Sequence, residues 1–214
     1  MNTEQIIWTI VIAIAAYFIG GLSPAMLISR AIAGKDIRET GSGNAGATNV
    51  MRVLGVRAGI LTFALDVLKG LAPTLVAKLC IDANADYASY ASYAAYLAGF
   101  MVILGHTYPL LLGFRGGKGV ATSLGMLFVI QPIATAVLLL IALGLMFMTG
   151  LVSLGSIVST ALIPVSGFLI PAVGWRFGVF GLFVAALVLW KHRENIERLI
   201  KGTENKIDPK KLKR

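Results

Sequence analysis

Three short stretches of the sequence gather residue types suited to holding an anion. The first reads Gly41-Ser42-Gly43-Asn44-Ala45-Gly46-Ala47-Thr48-Asn49, with Arg52 close behind. Its glycines free the backbone so that successive N–H groups can converge on one anion. Ser42, Asn44, Thr48 and Asn49 add neutral donors, and Arg52 adds a planar, permanently charged fork that fits phosphate oxygens. A helix beginning near Thr48 would aim its positive N-terminal dipole at the same place. The second stretch, Gly113-Phe114-Arg115-Gly116-Gly117-Lys118-Gly119, predicts a nest of N–H groups around a point cation, Lys118. The third is Lys191-His192-Arg193-Glu194-Asn195-Ile196-Glu197-Arg198, in which His192 and Asn195 stand at i and i+3 and share a helix face. Each stretch also has a plainer reading: a glycine turn capping a helix, loop charges that anchor at a membrane surface, and the basic end of a last span.

Several chemistries are excluded by spacing. Gly41, Gly43 and Gly46 match the dinucleotide pattern, with Asp66 twenty positions on, but a charged turn precedes them where a strand is required. The Lys118 loop falls one spacer short of a nucleotide-binding P-loop, and Gly119 stands where a magnesium-binding hydroxyl would be. Two histidines on separate helices and the single Cys80 give no metal-ligand cluster, so neither a metal nor any other cofactor is expected. No nucleophile elbow is present. Neither His106 nor His192 has an aspartate five residues on, which argues against acyltransferases built on that pair.

The elements that must position these loops are membrane helices. Of the 214 residues, 57% are hydrophobic and 14% charged, and the mean hydropathy is +0.82. Soluble domains carry about 25% charge. A net charge of +9 would suggest nucleic acid for a soluble protein; here it suggests basic cytoplasmic loops and an anionic substrate, with no nucleic-acid partner. Apolar runs cover Ile6–Ile28, about Val56–Cys80, Tyr90–Leu112, Val120–Gly150 broken at Gln131-Pro132, Leu151–Ile170 and Trp175–Trp190. Glu4, with no Lys or Arg nearby, marks the first run as a retained span. A short acidic connection with Asp82 and Asp86 follows the second. Sixteen of the 19 Lys and Arg fall within 30–57, 113–119 and 191–214, and the positive-inside rule puts all three in the cytoplasm. Parity then requires 119–131 to cross as a separate short segment. The fold class predicted is all-α, a polytopic integral membrane protein of seven transmembrane helices, N-terminus out and C-terminus in, forming a single domain over 1–214 with a basic tail from about 202. Five spans with re-entrant pieces would give the same end orientation. Asp66 and Lys69, at i and i+3 within the second span, are expected to pair with each other, the alternative being a lining role beneath the loops. His106 is expected to be a hydrogen-bonded packing residue.

Taken together, the motifs resemble the PlsY family, the bacterial membrane glycerol-3-phosphate acyltransferases that use acyl phosphate. The matching pieces are Ser23-Pro24, Gly41 to Asn49 with Arg52, Asp66 with Lys69-Gly70, Gly105-His106 with Pro109, Gly113 to Thr122, and His192-Arg193-Glu194-Asn195-Ile196. They occur in the family's order over nearly the whole chain. Arg115 stands where the family often has lysine, and the tail beyond about Gly202 matches nothing in it.

The resemblance implies transfer of an acyl group from acyl phosphate to glycerol 3-phosphate, giving 1-acylglycerol 3-phosphate (lysophosphatidic acid) and phosphate. It also implies neither acyl-CoA nor metal, and a multi-pass protein of the bacterial cytoplasmic (inner) membrane with its active site facing the cytoplasm. We expect it to act as a monomer in the lipid bilayer. The residues suit that chemistry. Gly41, Gly43, Asn44, Thr48, Asn49, Arg52, Gly116, Gly117 and Lys118 are the candidate phosphate ligands, and Ser42, His192 and Asn195 the candidate catalytic residues. Acyl phosphate is already activated, so the protein must mainly place the glycerol hydroxyl against the carbonyl and stabilise the oxyanion. Ser42 reads as a hydrogen-bonding group, with a covalent role the alternative. The hydroxyl proton goes either to an imidazole, His192, or to a substrate phosphate oxygen. The rival class is a small transporter or flippase for a phosphorylated lipid, which would form no chemical product.

Overall fold

The computed structural model describes residues 3–82 and 88–206. Every regular element among them is helical: α1 (Thr3–Gly21), α2 (Pro24–Ala33), α3 (Ala47–Leu54), α4 (Val56–Asp82), α5 (Ala88–Thr107), α6 (Val120–Ile130), α7 (Pro132–Thr149), α8 (Val152–Leu169), α9 (Trp175–Lys191) and α10 (Arg193–Ile200), with single 3-10 turns at Ile37–Glu39 and Leu110–Leu112. Asp86 of the acidic connection and residues 207–214 of the basic tail lie outside the described residues. The chain divides after Ile130 into two compact units.

In the first unit, α4 packs against α1, α3, α5 and α6. Glycines set the two tightest crossings. A Cβ on Gly20 would overlap the Val102 carbonyl of α5, and one on Gly105 of α5 would overlap the Tyr17 carbonyl of α1. Gly70 and Gly125 make the same reciprocal pair between α4 and α6, against the carbonyls of Thr122 and Val67. Backbone contact of this kind replaces the hydrophobic drive that helices lack in lipid.

Two prolines break helices here, and α4 supplies a lysine at each break. The run Ile6–Ile28, read from sequence as one span, divides at Leu22-Ser23-Pro24. Pro24 has no N–H to continue α1, and Ser23 caps α2 by accepting from the Met26 N–H at 3.4 Å. The Leu22 carbonyl, left without a helical donor, accepts from Lys69 Nζ at 2.7 Å. The second break falls at Gln131-Pro132, where the sequence predicts it, and Lys78 Nζ donates to the Val129 carbonyl at 3.1 Å.

In the second unit, α7 ends on Gly150 in the left-handed conformation (φ 72°), which turns the chain into α8. Gly155 of α8 lies on the Ala142 carbonyl of α7, and Gly167 of α8 lies on Gly178 of α9. The axis then bends by 65° between α9 and α10, with His192 at the bend.

Among the described residues, five helical runs are long and apolar enough to cross a membrane: Thr3–Ala33, Val56–Cys80, Tyr93–Leu112, Pro132–Thr149 and Val152–Leu169; the bent pair α9 and α10, taken as one span, makes six. Helix α6 has 11 residues, a rise of about 16 Å against a hydrocarbon core of about 30 Å. Large apolar side chains such as Trp8, Leu140, Phe147 and Phe183 face outwards, as they do on a lipid-facing surface.

Candidate active site

The first loop is organised around one side chain, Asn49, on the first turn of α3. It is 1% exposed. Its Nδ2 donates to the carbonyls of Ile37 (3.1 Å) and Thr40 (3.0 Å), and its Oδ1 accepts from the Ser42 N–H (2.8 Å). Gly41 and Gly43 have φ of 62° and 70°, so the chain turns there in the region that favours glycine. The Gly43 N–H closes that turn onto the Thr40 carbonyl, and the Gly46 N–H bonds the Asn44 carbonyl. The N–H groups of Ser42, Gly43 and Gly46 therefore point into the loop. Helix α3 begins at Ala47, close to where the sequence places it. Thr48 and Arg52, one turn apart, occupy a less buried face than Asn49 and Val50, and Ser42 is exposed.

The second loop sits on the end of α5. Here the predicted anion nest takes another form. The Gly116 and Gly117 N–H groups donate to the carbonyls of Thr107 (3.3 Å) and His106 (3.1 Å), so they cap α5 instead of converging on an anion. What requires glycine is close approach. A Cβ on Gly116 would overlap the His106 carbonyl, and one on Gly117 would overlap His106 Nε2 and crowd the Ala45 carbonyl of the first loop. Gly119, at φ 87°, turns the chain into α6, and Lys118 beside it is half-buried.

Two contacts bring the glycine loops together, the Gly117–Ala45 approach and Arg38. The Arg38 guanidinium pairs with Asp36 at 2.7 Å while its Nη1 donates to the carbonyls of Leu112 (3.0 Å) and Arg115 (3.3 Å). The Arg38 hydrogen bond holds the Asp36 carboxyl below its ordinary range. Beneath the loops, Asp66 and Lys69 form the expected ion pair at 2.8 Å, and His106 Nδ1 joins at 3.4 Å from Asp66 Oδ1. Sequence reading left this third member unconnected, because it comes from α5 while the pair lies on α4.

The third stretch lies in the second unit, with His192 and Asn195 both buried. His192 Nδ1 lies 2.8 Å from the Val188 carbonyl. A carbonyl only accepts, so Nδ1 carries a hydrogen, and in the neutral ring the basic lone pair is on Nε2. Asn195 Nδ2 donates to Glu204 Oε1 and Arg198 Nε to Glu204 Oε2, each at 2.9 Å. The Glu204 side chain is 4% exposed. Burial works to raise its carboxyl, but the hydrogen bonds from Asn195 and Arg198 prevail and hold it below the ordinary value. Sequence reading stopped at Gly202 and missed Glu204. Gly202, at φ 66°, ends α10 and turns the chain back, with the Thr203 N–H on the Arg198 carbonyl at 2.8 Å. An acidic residue just past a helix-ending glycine was the available signal.

The sequence profile of the glycerol-3-phosphate acyltransferase family matches residues 10–202. A glycerol-3-phosphate acyltransferase of Clostridioides difficile (strain 630) is 44% identical over 206 residues, covering 94% of this chain and 97% of that one. Among solved structures, PlsY (YgiH), an integral membrane glycerol 3-phosphate acyltransferase, in its glycerol 3-phosphate form superposes with a TM-score of 0.85 at 35% identity, covering 95% of this chain and 98% of that one. Its lysophosphatidic acid form gives 0.82 at 33% identity, covering 95% and 97%.

Proposed function

The chain belongs to the glycerol-3-phosphate acyltransferase family, and on that premise we propose that it acylates glycerol 3-phosphate from acyl phosphate, releasing 1-acylglycerol 3-phosphate and inorganic phosphate. One observation carries the reading. The structural neighbour that matches along almost its full length has forms with glycerol 3-phosphate and with lysophosphatidic acid, the acceptor and the product of this reaction.

In the transfer, the glycerol hydroxyl oxygen forms a bond to the acyl carbon and the bond from that carbon to the phosphate oxygen breaks. Phosphate leaves with the electron pair, and the hydroxyl proton goes to His192 Nε2 or to a phosphate oxygen. Both substrates carry phosphate, and Arg52 and Lys118 are the cations assigned to them, with Asn44 and Thr48 as neutral donors. Gly41, Gly43, Gly116 and Gly117 shape the loops that carry these side chains. Ser42 is assigned as a hydrogen-bonding group in direct attack, and Asn195, its amide oriented by Glu204, as a second polar group of the reaction.

The same reading takes the chain as one catalytic domain, acting as a monomer in the bacterial cytoplasmic membrane with the basic loops inside. Seven helices with the N-terminus out, α6 being the short crossing, place all three motifs on the cytoplasmic side. No metal is required, because the leaving group is already activated. Purified protein given palmitoyl phosphate and glycerol 3-phosphate, in EDTA and without nucleotide, should release phosphate only when both substrates are present, with lysophosphatidic acid as the second product. Phosphate release independent of glycerol 3-phosphate, or activity that vanishes on chelation and returns with magnesium, would overturn this reading.

A further inference from the structure

We infer that Asn49 is not a phosphate ligand but the positioning residue that sets the Ser42 turn. The inference rests on the reaction proposed above. A phosphate oxygen accepts hydrogen bonds, so a ligand must offer a hydrogen. An asparagine amide has two, and both of Asn49's are engaged, one with the Ile37 carbonyl and one with the Thr40 carbonyl. Its Oδ1 holds the Ser42 N–H. The amide cannot be turned over. Reversed, its oxygen would face two carbonyls and its NH2 would face the Ser42 N–H, three repulsive contacts in place of three bonds.

The packing carries the same message. Asn49 is buried beneath the loop, while Ser42 stands exposed above it. A Cβ on Gly41 would overlap Asn49 Oδ1, so the left-handed glycine and the amide fit as a pair. Asn49 thus ties three points of the chain, at 37, 40 and 42, to the first turn of α3, and Thr48 and Arg52 project from that same helix. Its effect on the reaction runs through the placement of Ser42. It does not touch the phosphate.

The test compares acceptor binding with turnover in the purified full-length protein. Asn49→Ala should lower kcat about 10–100-fold while leaving the Kd for glycerol 3-phosphate within about threefold of wild type, because no contact to phosphate is lost. Joined to Ser42→Ala, it should cost little beyond the serine change alone, since both remove the same placement. Gly41→Ala, which leaves Asn49 in the sequence but drives its Oδ1 away from Ser42, should reproduce the kcat loss with the same unchanged Kd. It decides the matter if the Asn49→Ala protein does not fold. The inference is overturned if either variant weakens glycerol 3-phosphate binding tenfold or more, or if the losses from Asn49→Ala and Ser42→Ala multiply. Wild-type protein that forms no lysophosphatidic acid would instead sink the proposed reaction.

Discussion

Helices α3 and α10 carry the same four-residue pattern, an asparagine followed three positions on by an arginine: Asn49 with Arg52, and Asn195 with Arg198. Each helix is eight residues long, and each asparagine is buried. What faces them differs. Asn49 meets three backbone groups, all neutral. Asn195 meets the carboxylate of Glu204, and Arg198 binds the other oxygen of the same carboxylate. In α10 the asparagine and the arginine therefore share one buried carboxylate, whereas the partners of Asn49 in α3 are backbone groups. One sequence pattern meets backbone groups through its asparagine in the first unit, and a single carboxylate through both its residues in the second.

The largest effect should separate the two arginines. Arg52→Ala is expected to lower kcat/KM about 10–150-fold, the loss of one charge-assisted hydrogen bond to phosphate, and Lys118→Ala by a similar factor. Arg52→Lys should stay impaired because a point charge does not replace a fork. Arg198→Ala should instead act on stability, lowering the thermal midpoint of the detergent-solubilised protein with a loss of about 1–2 kcal/mol, since its guanidinium is one-third exposed. Equal kinetic losses from both arginines would erase the distinction.

The pH–rate profile of His192→Ala sharpens the account of the second unit. If His192 Nε2 takes the hydroxyl proton, the alanine variant loses kcat and the acid limb disappears. If a substrate phosphate takes it, the limb persists near the second phosphate pKa of about 6. Unchanged kcat would remove His192 from the reaction altogether.

A smaller effect follows from the lowered Glu204 carboxyl. The folded value lies below that of the unfolded chain, about 4.3 for a glutamate. The stabilisation is therefore fully present above that pH and is lost as pH falls through the folded value. Hydrogen exchange in α10, corrected for intrinsic rates, should rise on acidification. Exchange in α3, whose asparagine bonds only to backbone groups, should rise less. Glu204→Gln should abolish the difference, at a cost of about 2 kcal/mol already at neutral pH. Identical acid sensitivity of the two helices in the wild type would break the comparison.

These contrasts mark what the sequence made legible. Ser42, Arg52, Lys118, His192 and Asn195 could be singled out by type and spacing, and the Asp66–Lys69 pair by its helical separation. The break at Pro132 was legible because proline ends a helix locally. The division of the first apolar run at Ser23-Pro24 was masked by unbroken hydropathy on both sides. Glu204 escaped because its partner is nine residues back across a turn. In the second loop, spacing does not record that the Gly116 and Gly117 N–H groups cap α5, nor that their missing side chains make room for His106 and the first loop.

By itself the sequence determined the solvent, the helical periodicity of the spans and the inventory of chemical groups. All of these follow from residue type and from interactions within a few positions. Tertiary structure alone decided which groups are engaged and with what. Hydrogen bonds from Asn49 to residues 9 and 12 positions away, from Lys69 to a carbonyl 47 positions away and from Arg38 to carbonyls more than 70 positions away depend on how helices cross. A donor's availability to a substrate is what remains after such internal partners are served, and no local pattern records that remainder.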